Sequence, residues 1–346
     1  MGEGPVVKLE ASAYPRFARH ESFHPRYGWL KKGVDGAASD PGIFIREDAV
    51  VQLGVGKNMV RAIRFWGTAA KLLTTARNDA RPRQPLVVPT RLGRALFDDE
   101  GWDPYCEDPG TLWLIHWLLL APKSSVPVWW IALNEFPGVE FSADELHDFV
   151  VDFTNGIGDW DDVQPSSIRK DVDCFLRMYT ASTNQARTTG DDAIDCPFRD
   201  LGLVRPASQR RHFRFVSGDK PGLPPQIALY AALDFIARTE HRAKTATLSR
   251  LVSEPGSPGR AFRLPEEVFA GLLETAAESV AGVQLLTTNG VTQLAIDGPP
   301  NEIASEALRS HYAAGQLDGD ATLAGPAAEE PADPAFVPST DDRVAV

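Results

Sequence analysis

The chain has 346 residues, of which 43% are apolar and 9% aromatic, so it can build two or three domains with cores of their own. Its three cysteines lie far apart without a C-x-x-C pair, which argues against a disulfide framework and a thiolate zinc site. No signal peptide is recognisable, and the longest apolar run, LWLIHWLLLAP, is too short to span a bilayer. We therefore expect a soluble cytoplasmic protein without a membrane partner.

The net charge of −12 is distributed unevenly along the chain. Residues 8–97 carry 16 basic and 7 acidic side chains, a net charge of +9, whereas residues 98–165 carry 1 basic and 15 acidic side chains. Charges act locally because salt screens them over about 8–10 Å. An acidic protein can therefore still bind nucleic acid, and the basic block at the N-terminus is typical of a phosphate-binding module.

The basic block, residues 10–97, is predicted to be a winged helix-turn-helix domain. A short helix near residues 47–53 ends at Gly54, and Gly56 frees the turn. A second helix is expected from about Lys57 to Leu73, with an apolar face toward the core and a basic face opposite. A strand, a basic loop, a second strand and a helix beginning at Pro89-Thr90 follow, which is the order of a wing.

In such a domain the second helix enters the major groove, and the wing lies along phosphates. Asn58 suits an adenine edge, whereas lysine and arginine suit guanine or phosphate. The alternative is an exposed amphipathic helix whose basic face is merely solvated. The predicted DNA contacts are Lys57, Asn58, Arg61, Arg64, Thr68, Lys71, Arg77, Arg81, Arg83, Arg19, Arg26, Lys31 and Lys32.

A second winged-helix-like domain is predicted over residues 107–215, after the acidic connection at residues 98–110. TLWLIHWLLLAP predicts a buried helix, and VPVWWIALNEF a buried strand or helix. A capping box at Ser142 and Glu145 begins the next helix, and Ser166 or Ser167 is expected to cap the one after it. RRHFRF alternates like a wing strand. Because the first half is acidic, a scaffolding or protein-binding role is the plainer interpretation.

A mainly helical third domain is predicted over residues 223–312. Within it, Asn289-Gly290 between two apolar runs indicates a β-hairpin. Residues 313–346 contain mainly alanine, proline and acidic side chains, so we expect a disordered acidic tail. The fold class expected for the whole chain is mainly α with small β-hairpins (α+β).

The segment FARHESFHPRYGWLKKG contains His20-Glu21-Ser22-Phe23-His24, which matches the H-E-x-x-H pattern of zinc proteases. That chemistry requires both histidines on one helical face. Pro25 disfavours a helical conformation at His24, and no third ligand follows at the usual spacing. We therefore expect no zinc-protease site, but a basic arm that contacts phosphate, binds a metal through its histidines, or is simply fixed to the domain.

Four stretches, FARHESFHPRYGWLKKG, VQLGVGKNMVRAIRFW, CPFRDLGLV and EPGSPGRAF, resemble the SspB family of bacterial Ssp DNA-phosphorothioation systems. The resemblance extends from about residue 15 to about residue 300 in the expected order. It implies a protein that nicks DNA so that sulfur can replace a non-bridging phosphate oxygen, a mark used in phage defence. The implied partners are DNA, a cysteine desulfurase, an ATPase and an ATP-pyrophosphatase-like sulfur-transfer protein.

Nicking requires carboxylates that hold a metal, or a nucleophile assisted by a cation. The sequence contains no standard nuclease motif, so a non-catalytic DNA-recognition protein or a transcription regulator remains the alternative. If the protein is a metal-dependent nickase, Mg²⁺ or Mn²⁺ is the expected cofactor. The catalytic candidates are His20, Glu21, His24 and Arg26, and less favoured acidic runs at Asp98, Asp99 and Glu100 and at Asp159, Asp161 and Asp162.

Overall fold

The computed structural model describes residues 8–160, 163–180, 196–209, 211–239 and 243–317. These residues form an α+β fold in which helices surround three small antiparallel sheets, as the sequence predicts at this level. We divide the chain into an N-terminal part (residues 8–106), a middle part (107–223) and a C-terminal part (224–317). No helix among the described residues is long and apolar enough to cross a membrane.

The N-terminal part contains five helices and one hairpin. They are α1 (Leu9–Ser12), α2 (Trp29–Ser39), α3 (Ala49–Leu53), α4 (Lys57–Ala69), β1 (Leu73–Ala76), β2 (Leu86–Pro89) and α5 (Arg91–Phe97). Helix α3 ends at Gly54 in the left-handed conformation, φ 62°, which confirms the predicted stop. The prediction that α4 reaches Leu73 is wrong, because Lys71 has a φ of 59° and Leu73 begins β1.

The described residues of the middle part form four α-helices and a three-stranded sheet. They are α6 (Pro109–Leu120), α7 (Pro127–Asn134), β3 (Glu140–Ser142), α8 (Ala143–Asn155), α9 (Pro165–Tyr179), β4 (Val204–Pro206) and β5 (His212–Phe215). The predicted capping box of α8 is present: Ser142 Oγ accepts from Glu145 N at 3.1 Å, and the Glu145 carboxylate accepts from Ser142 N at 2.6 Å. Helix α9 is preceded by Gln164, so the predicted serine cap is wrong.

In the C-terminal part, the residues that the structure describes form five α-helices and a second three-stranded sheet. They are α10 (Pro225–Thr239), β6 (Thr245–Thr247), α11 (Leu248–Ser253), α12 (Pro258–Phe262), α13 (Glu266–Ser279), β7 (Val283–Thr288), β8 (Val291–Ile296) and α14 (Pro300–Leu317). Asn289 and Gly290 join β7 to β8 at φ 51° and 77°, which confirms the predicted hairpin.

The middle and C-terminal sheets share one topology. Their strand orders are β3-β5-β4 and β6-β8-β7, so in each the last strand of the hairpin lies in the centre and pairs antiparallel with the first strand. Between the first strand and the hairpin lie α8 and α9 in the middle part, and α11, α12 and α13 in the C-terminal part. The C-terminal part therefore repeats the strand order of the middle part, which the sequence did not indicate.

One hydrophobic core runs through all three parts. Polar contacts reinforce it at His116 of α6: its Nδ1 accepts from the Tyr179 hydroxyl at 2.8 Å, and its Nε2 donates to Ala261 O at 2.9 Å. Burial lowers the pKa of His116 to about 4, so the ring is neutral and can make both bonds. This histidine joins helices α6, α9 and α12.

The last helix returns to the connection between the first two parts. Tyr312 stacks on Trp102 with ring centroids 4.9 Å apart, and its hydroxyl lies 3.0 Å from Thr111 Oγ1. Helix α14 continues to Leu317, five residues into the segment for which disorder is predicted. Residues 318–346 of that predicted tail lie outside the described residues.

Candidate nucleic-acid interface

The basic face of α4 is exposed at its N-terminal end. Lys57, Asn58 and Arg61 are exposed, whereas Arg64 is half-buried and burial lowers its pKa. The Thr68 hydroxyl donates to Arg64 O at 2.9 Å and so is occupied within the helix. The unpaired N–H groups at the start of a helix add positive potential near Lys57 and Asn58. Of the predicted DNA contacts, Lys57, Asn58, Arg61 and Arg64 therefore reach the surface of α4.

Lys71 requires a correction. It follows the end of α4 and is buried, and its ammonium group donates to Ala121 O at 2.9 Å and to Leu118 O. Burial lowers the pKa of Lys71 to about 7. The prediction extended a helical spacing past the point where the backbone leaves the helix, and the side chain consequently points into the protein. Lys71 is not available to a phosphate.

The loop between β1 and β2 carries three exposed arginines, Arg77, Arg81 and Arg83, as the predicted wing does. Arg77 forms an ion pair of 2.7 Å with Asp79, and both side chains are more than four-fifths exposed. An ion pair this exposed contributes little to stability. The arginines therefore remain accessible to a phosphate at little cost.

The two lysines of α2 are used within the N-terminal part. Lys31 Nζ donates to Asp99 Oδ1 at 2.9 Å and to Phe97 O at 3.1 Å, and Lys32 Nζ donates to Leu53 O at 2.8 Å. Both side chains are half-buried. The structure thus does not bring them onto the exposed face of α4.

The basic arm, residues 16–24, is a non-helical loop that contacts both α4 and α9. From α4, Trp66 Nε1 donates to Phe23 O at 2.9 Å, and Arg61 forms an ion pair of 3.3 Å with Glu21. From α9, Arg177 Nη2 donates to Ser22 O at 2.8 Å. Because the arm lies outside any helix, the two histidines of the H-E-x-x-H pattern do not share a helical face.

His20 is the buried anchor of the arm. Its Nε2 donates to Asp171 Oδ1 at 2.7 Å, and the same oxygen accepts from Ala18 N at 2.8 Å. The imidazole is 1% exposed and stacks on Trp66 at a centroid distance of 5.9 Å. Burial raises the pKa of the Asp171 carboxyl. A DNA phosphate cannot reach His20 while the arm is in place, so the predicted chemical role does not fit this position.

The other catalytic candidates are placed differently. Glu21 is held by Arg61, and His24 Nδ1 donates to Pro25 O at 3.1 Å. The pKa of His24 is lowered, first by burial and then, against the effect of its bond to Pro25 O, by neighbouring arginines. These arginines are Arg199, Arg177 and Arg26.

The arginines that were predicted in and beside the arm differ in accessibility. Arg19 is exposed. Arg26 is 7% exposed, and its guanidinium lies over the rings of Phe23 and Trp29, 5.6 and 5.4 Å from their centroids. Arg26 therefore packs beside the arm and does not present its charge to a ligand at the surface.

Two arginines of the middle part border the arm and were absent from the predicted contacts. Arg177 lies in the last turn of α9 and is exposed, and Arg199 lies in the 3₁₀ helix Pro197–Leu201. Arg199 Nε lies 3.4 Å from Arg177 O. Arg177 falls outside the apolar stripe of α9, but nothing local in the sequence indicates that it meets the arm.

Acidic and metal-binding side chains do not gather into a metal site in the part of the chain that the structure describes. Among the described residues, no group of three or more histidine, cysteine, aspartate or glutamate side chains could hold a metal ion. Asp99 pairs with Lys31, and Asp98 lies 4.0 Å from Arg94. The candidates Asp161 and Asp162 lie outside the described residues, as does the side chain of Asp159.

The chain is similar to known proteins over most of its length. A family model described as a protein of unknown function, DUF4007, matches residues 17–312. A structure described as an SspB crystal structure shares 39% identity, with a TM-score of 0.83, 91% of this chain and 93% of that chain covered. A second, described as magnesium ion-bound SspB, has the same identity and TM-score and covers 92% of this chain and 93% of that chain. No curated protein matches.

Proposed function

The chain belongs to the SspB family and to the DUF4007 family, and on this premise we propose that it binds DNA for a phosphorothioation system and nicks one strand. Membership of the SspB family makes it a component of an Ssp system. The observation that carries the proposal is the exposed cationic face of α4, with Lys57, Asn58 and Arg61 at its start. This face lies beside the arm, which adds the exposed Arg19.

We propose a winged-helix mode of binding for the N-terminal part. Helix α4 follows α3 and the turn at Gly54–Gly56, and the β1–β2 hairpin follows α4. In this mode α4 lies in the major groove and the arginines of the β1–β2 loop lie along phosphates. The common strand order of the middle and C-terminal sheets favours winged-helix variants there too, since each places a hairpin after its helices.

Among the described residues there is no dedicated cluster of three or more metal ligands, so a metal used in nicking would depend on the DNA phosphates for some of its ligands. A solved relative is described as magnesium ion-bound. Mg²⁺ is often held by one or two carboxylates together with the phosphates of the substrate. Exposed acidic groups near the DNA surface would suffice for that arrangement, and the metal would stabilise charge on the scissile phosphate. The implied partners remain a cysteine desulfurase, an ATPase and an ATP-pyrophosphatase-like protein.

One observation favours a second candidate function, a non-catalytic protein that recognises DNA and recruits the modifying enzymes. His20, the central catalytic candidate, is buried against Asp171 and so does not face a DNA phosphate. A winged-helix transcription regulator would have the same geometry. The two functions differ in whether the purified chain breaks a phosphodiester bond.

The DNA-binding proposal is tested by titrating duplex DNA with the full chain over a salt series. Arg61→Ala and Arg64→Ala should each weaken binding by about 1–3 kcal/mol if they bond to bases, and by less if they contact phosphate. Arg309→Ala is the control, since this exposed arginine lies in α14 and pairs only with Glu306 in the described contacts. Unchanged affinity and salt slope in the Arg61/Arg64 double variant would contradict the proposal.

Nicking is tested separately by relaxation of supercoiled plasmid with Mg²⁺, with Mn²⁺ and with EDTA. We expect relaxation that requires a divalent ion. A protein that binds the plasmid tightly but leaves it supercoiled under all three conditions would instead be the recognition protein.

A further inference from the structure

The cationic face of α4 carries an anionic side chain that the arm brings to it. Glu21 Oε1 lies 3.3 Å from Arg61 Nη1, and the two side chains are 31% and 55% exposed. Helix α4 itself contains no acidic residue, so this carboxylate reaches the helix from the arm. The surface proposed to contact DNA therefore already holds an anion of the protein beside one of its cations.

The backbone around Glu21 is held in position from two helices. Ser22 O accepts a hydrogen bond of 2.8 Å from Arg177 of α9, and Phe23 O accepts one of 2.9 Å from Trp66 of α4. Glu21 and Ser22 both have positive φ values, 51° and 63°, which residues with a Cβ rarely adopt. Such conformations persist only where surrounding contacts impose them, and they gather at functional positions. The placement of the carboxylate is thus a fixed property of the arm.

The ion pair itself adds little to the stability of the fold, because pairs whose side chains are this open to solvent contribute little. Its hydrogen bond joins Arg61 Nη1 to Glu21 Oε1. The strongest arginine–carboxylate pairs instead use two parallel bonds. A pair that stabilises so little, yet is held by a strained loop, is better explained by its effect on what Arg61 binds.

Glu21 affects the two kinds of DNA contact open to Arg61 in different ways. A phosphate is an anion, so the carboxylate repels it and competes with it for the guanidinium group. The edge of guanine is neutral and offers O6 and N7 as acceptors to arginine. A guanidinium has five N–H donors, so Arg61 can keep one bond to Glu21 while its other donors face the base. The carboxylate therefore disfavours phosphate contact more than base contact.

We propose that Glu21 is a specificity-determining residue: it withholds Arg61 from the DNA backbone and thereby favours contact with a guanine edge. Phosphates are present in every DNA sequence, so an element that penalises them lowers binding to all DNA and leaves the choice of sequence to the bases. The inference rests on the proposed function and deepens it, because it assigns a residue of the arm a role at the DNA surface. That role differs from the catalytic one that the H-E-x-x-H pattern suggests.

The first test measures fluorescence anisotropy of a labelled pool of random-sequence duplexes, about 20 base pairs long, against full-length protein from about 50 to about 200 mM salt. In Glu21→Gln, Arg61 becomes available to phosphate, so affinity at the lowest salt should rise about threefold or more and the salt slope should steepen by about 1. Glu306→Gln is the matched control, because this carboxylate of α14 is 55% exposed and pairs with Arg309 at 3.0 Å. The control should change both quantities much less. Unchanged or weaker binding by Glu21→Gln overturns the inference.

A double-mutant cycle shows whether Glu21 acts through Arg61. Simple repulsion by the carboxylate acts whether or not Arg61 is present, whereas release of Arg61 requires the arginine. The gain from Glu21→Gln should therefore mostly disappear in an Arg61→Ala background, and equal gains in both backgrounds overturn the inference. Glutamine preserves the shape of the side chain, so the melting temperature should stay within about 2 °C of wild type. Earlier melting together with weaker binding would make Glu21 only a support of the arm.

Sequence preference is measured by sequencing the bound fraction of the same pool. Wild type should enrich guanine at one position, Arg61→Ala should lose that enrichment, and Glu21→Gln should reduce it about threefold. If Glu21→Gln binds and selects like wild type while Arg61→Ala with Arg64→Ala binds weakly, the role of Glu21 is wrong and DNA binding through α4 stands. If wild-type protein does not bind the pool at any salt concentration, both proposals fail together.

Discussion

Replacing His20 by alanine should destabilise the folded chain without removing a catalytic group. His20 bonds to Asp171 at 2.7 Å, and both side chains are almost completely buried. Removing one partner of a buried, hydrogen-bonded pair leaves the other group without compensation, which typically costs about 3–5 kcal/mol. Asp171 would retain its bond from Ala18 N, and a rise in its pKa would let it bind a proton. We therefore expect a loss near the lower end of that range.

The loss can be measured by denaturant unfolding and by thermal melting. For a protein of this size each kcal/mol corresponds to about 2–4 °C, so His20→Ala should melt roughly 10 °C earlier. A double-mutant cycle with Asp171→Ala isolates the pair. The unfolding free energy lost by the double variant should be smaller than the sum of the two single losses by about 1 kcal/mol or more, because the two side chains share one interaction.

His147→Ala provides the matched control. His147 Nδ1 lies 2.9 Å from Asp148 Oδ1, but the aspartate side chain is 75% exposed, so the loss should be below about 1 kcal/mol. Nicking by His20→Ala, measured per folded molecule, should remain close to that of wild type. If the variant melts within about 2 °C of wild type yet no longer nicks DNA, the structural interpretation of His20 is refuted.

Three further predictions concern stability. The pKa of Lys71 is about 7 in the folded chain and ordinarily 10.5, so the unfolded chain binds more protons between these pH values. The unfolding free energy of the wild type relative to Lys71→Met, measured by urea unfolding, should therefore rise by about 3 kcal/mol from pH 7 to pH 9.5. Parallel plots of unfolding free energy against pH for the two proteins would contradict this. Gly93→Ala would place Cβ 2.2 Å from Leu72 O and should cost about 1–3 kcal/mol, whereas Gly271→Ala, with nothing within 4 Å, should stabilise slightly; equal melting temperatures would contradict the contact. Deleting residues 318–346 should change the melting temperature by less than about 3 °C, and a larger drop would imply packing contacts.

Local signals in the sequence predicted local structure well. The left-handed end of α3 at Gly54, the capping box at Ser142 and the hairpin at Asn289-Gly290 each depend on residues within a few positions of one another. The energy that decides such features comes from the same short segment, so a single sequence contains the information. The alternation of strands and helices follows from these signals, and so does the α+β class.

Features that depend on distant partners were not predictable in the same way. Asp171 is 151 residues from His20 in the chain, and Arg177 is 155 residues from Ser22. Periodicity correctly placed Lys57 and Arg61 on an exposed face but could not detect that the chain leaves the helix before Lys71. The repeated strand order of the middle and C-terminal parts also arises from pairing between strands that are distant in the chain, β3 with β5 and β6 with β8. Neither part of the chain carries a local signal for that pairing.

The backbone of the arm is strained, and contacts from α4 and α9 hold it in place. Ala18, Glu21 and Ser22 have φ values of 55°, 51° and 63°, each of which costs about 1 kcal/mol or more outside glycine. Such a loop persists only if other contacts over-determine it, and the buried bond of His20 supplies one. If the chain binds DNA as proposed, a loop that is already rigid need not be ordered on binding, so its arginine contacts would lose less affinity to entropy. The H-E-x-x-H segment thus holds α4 against α9 through contacts with both helices.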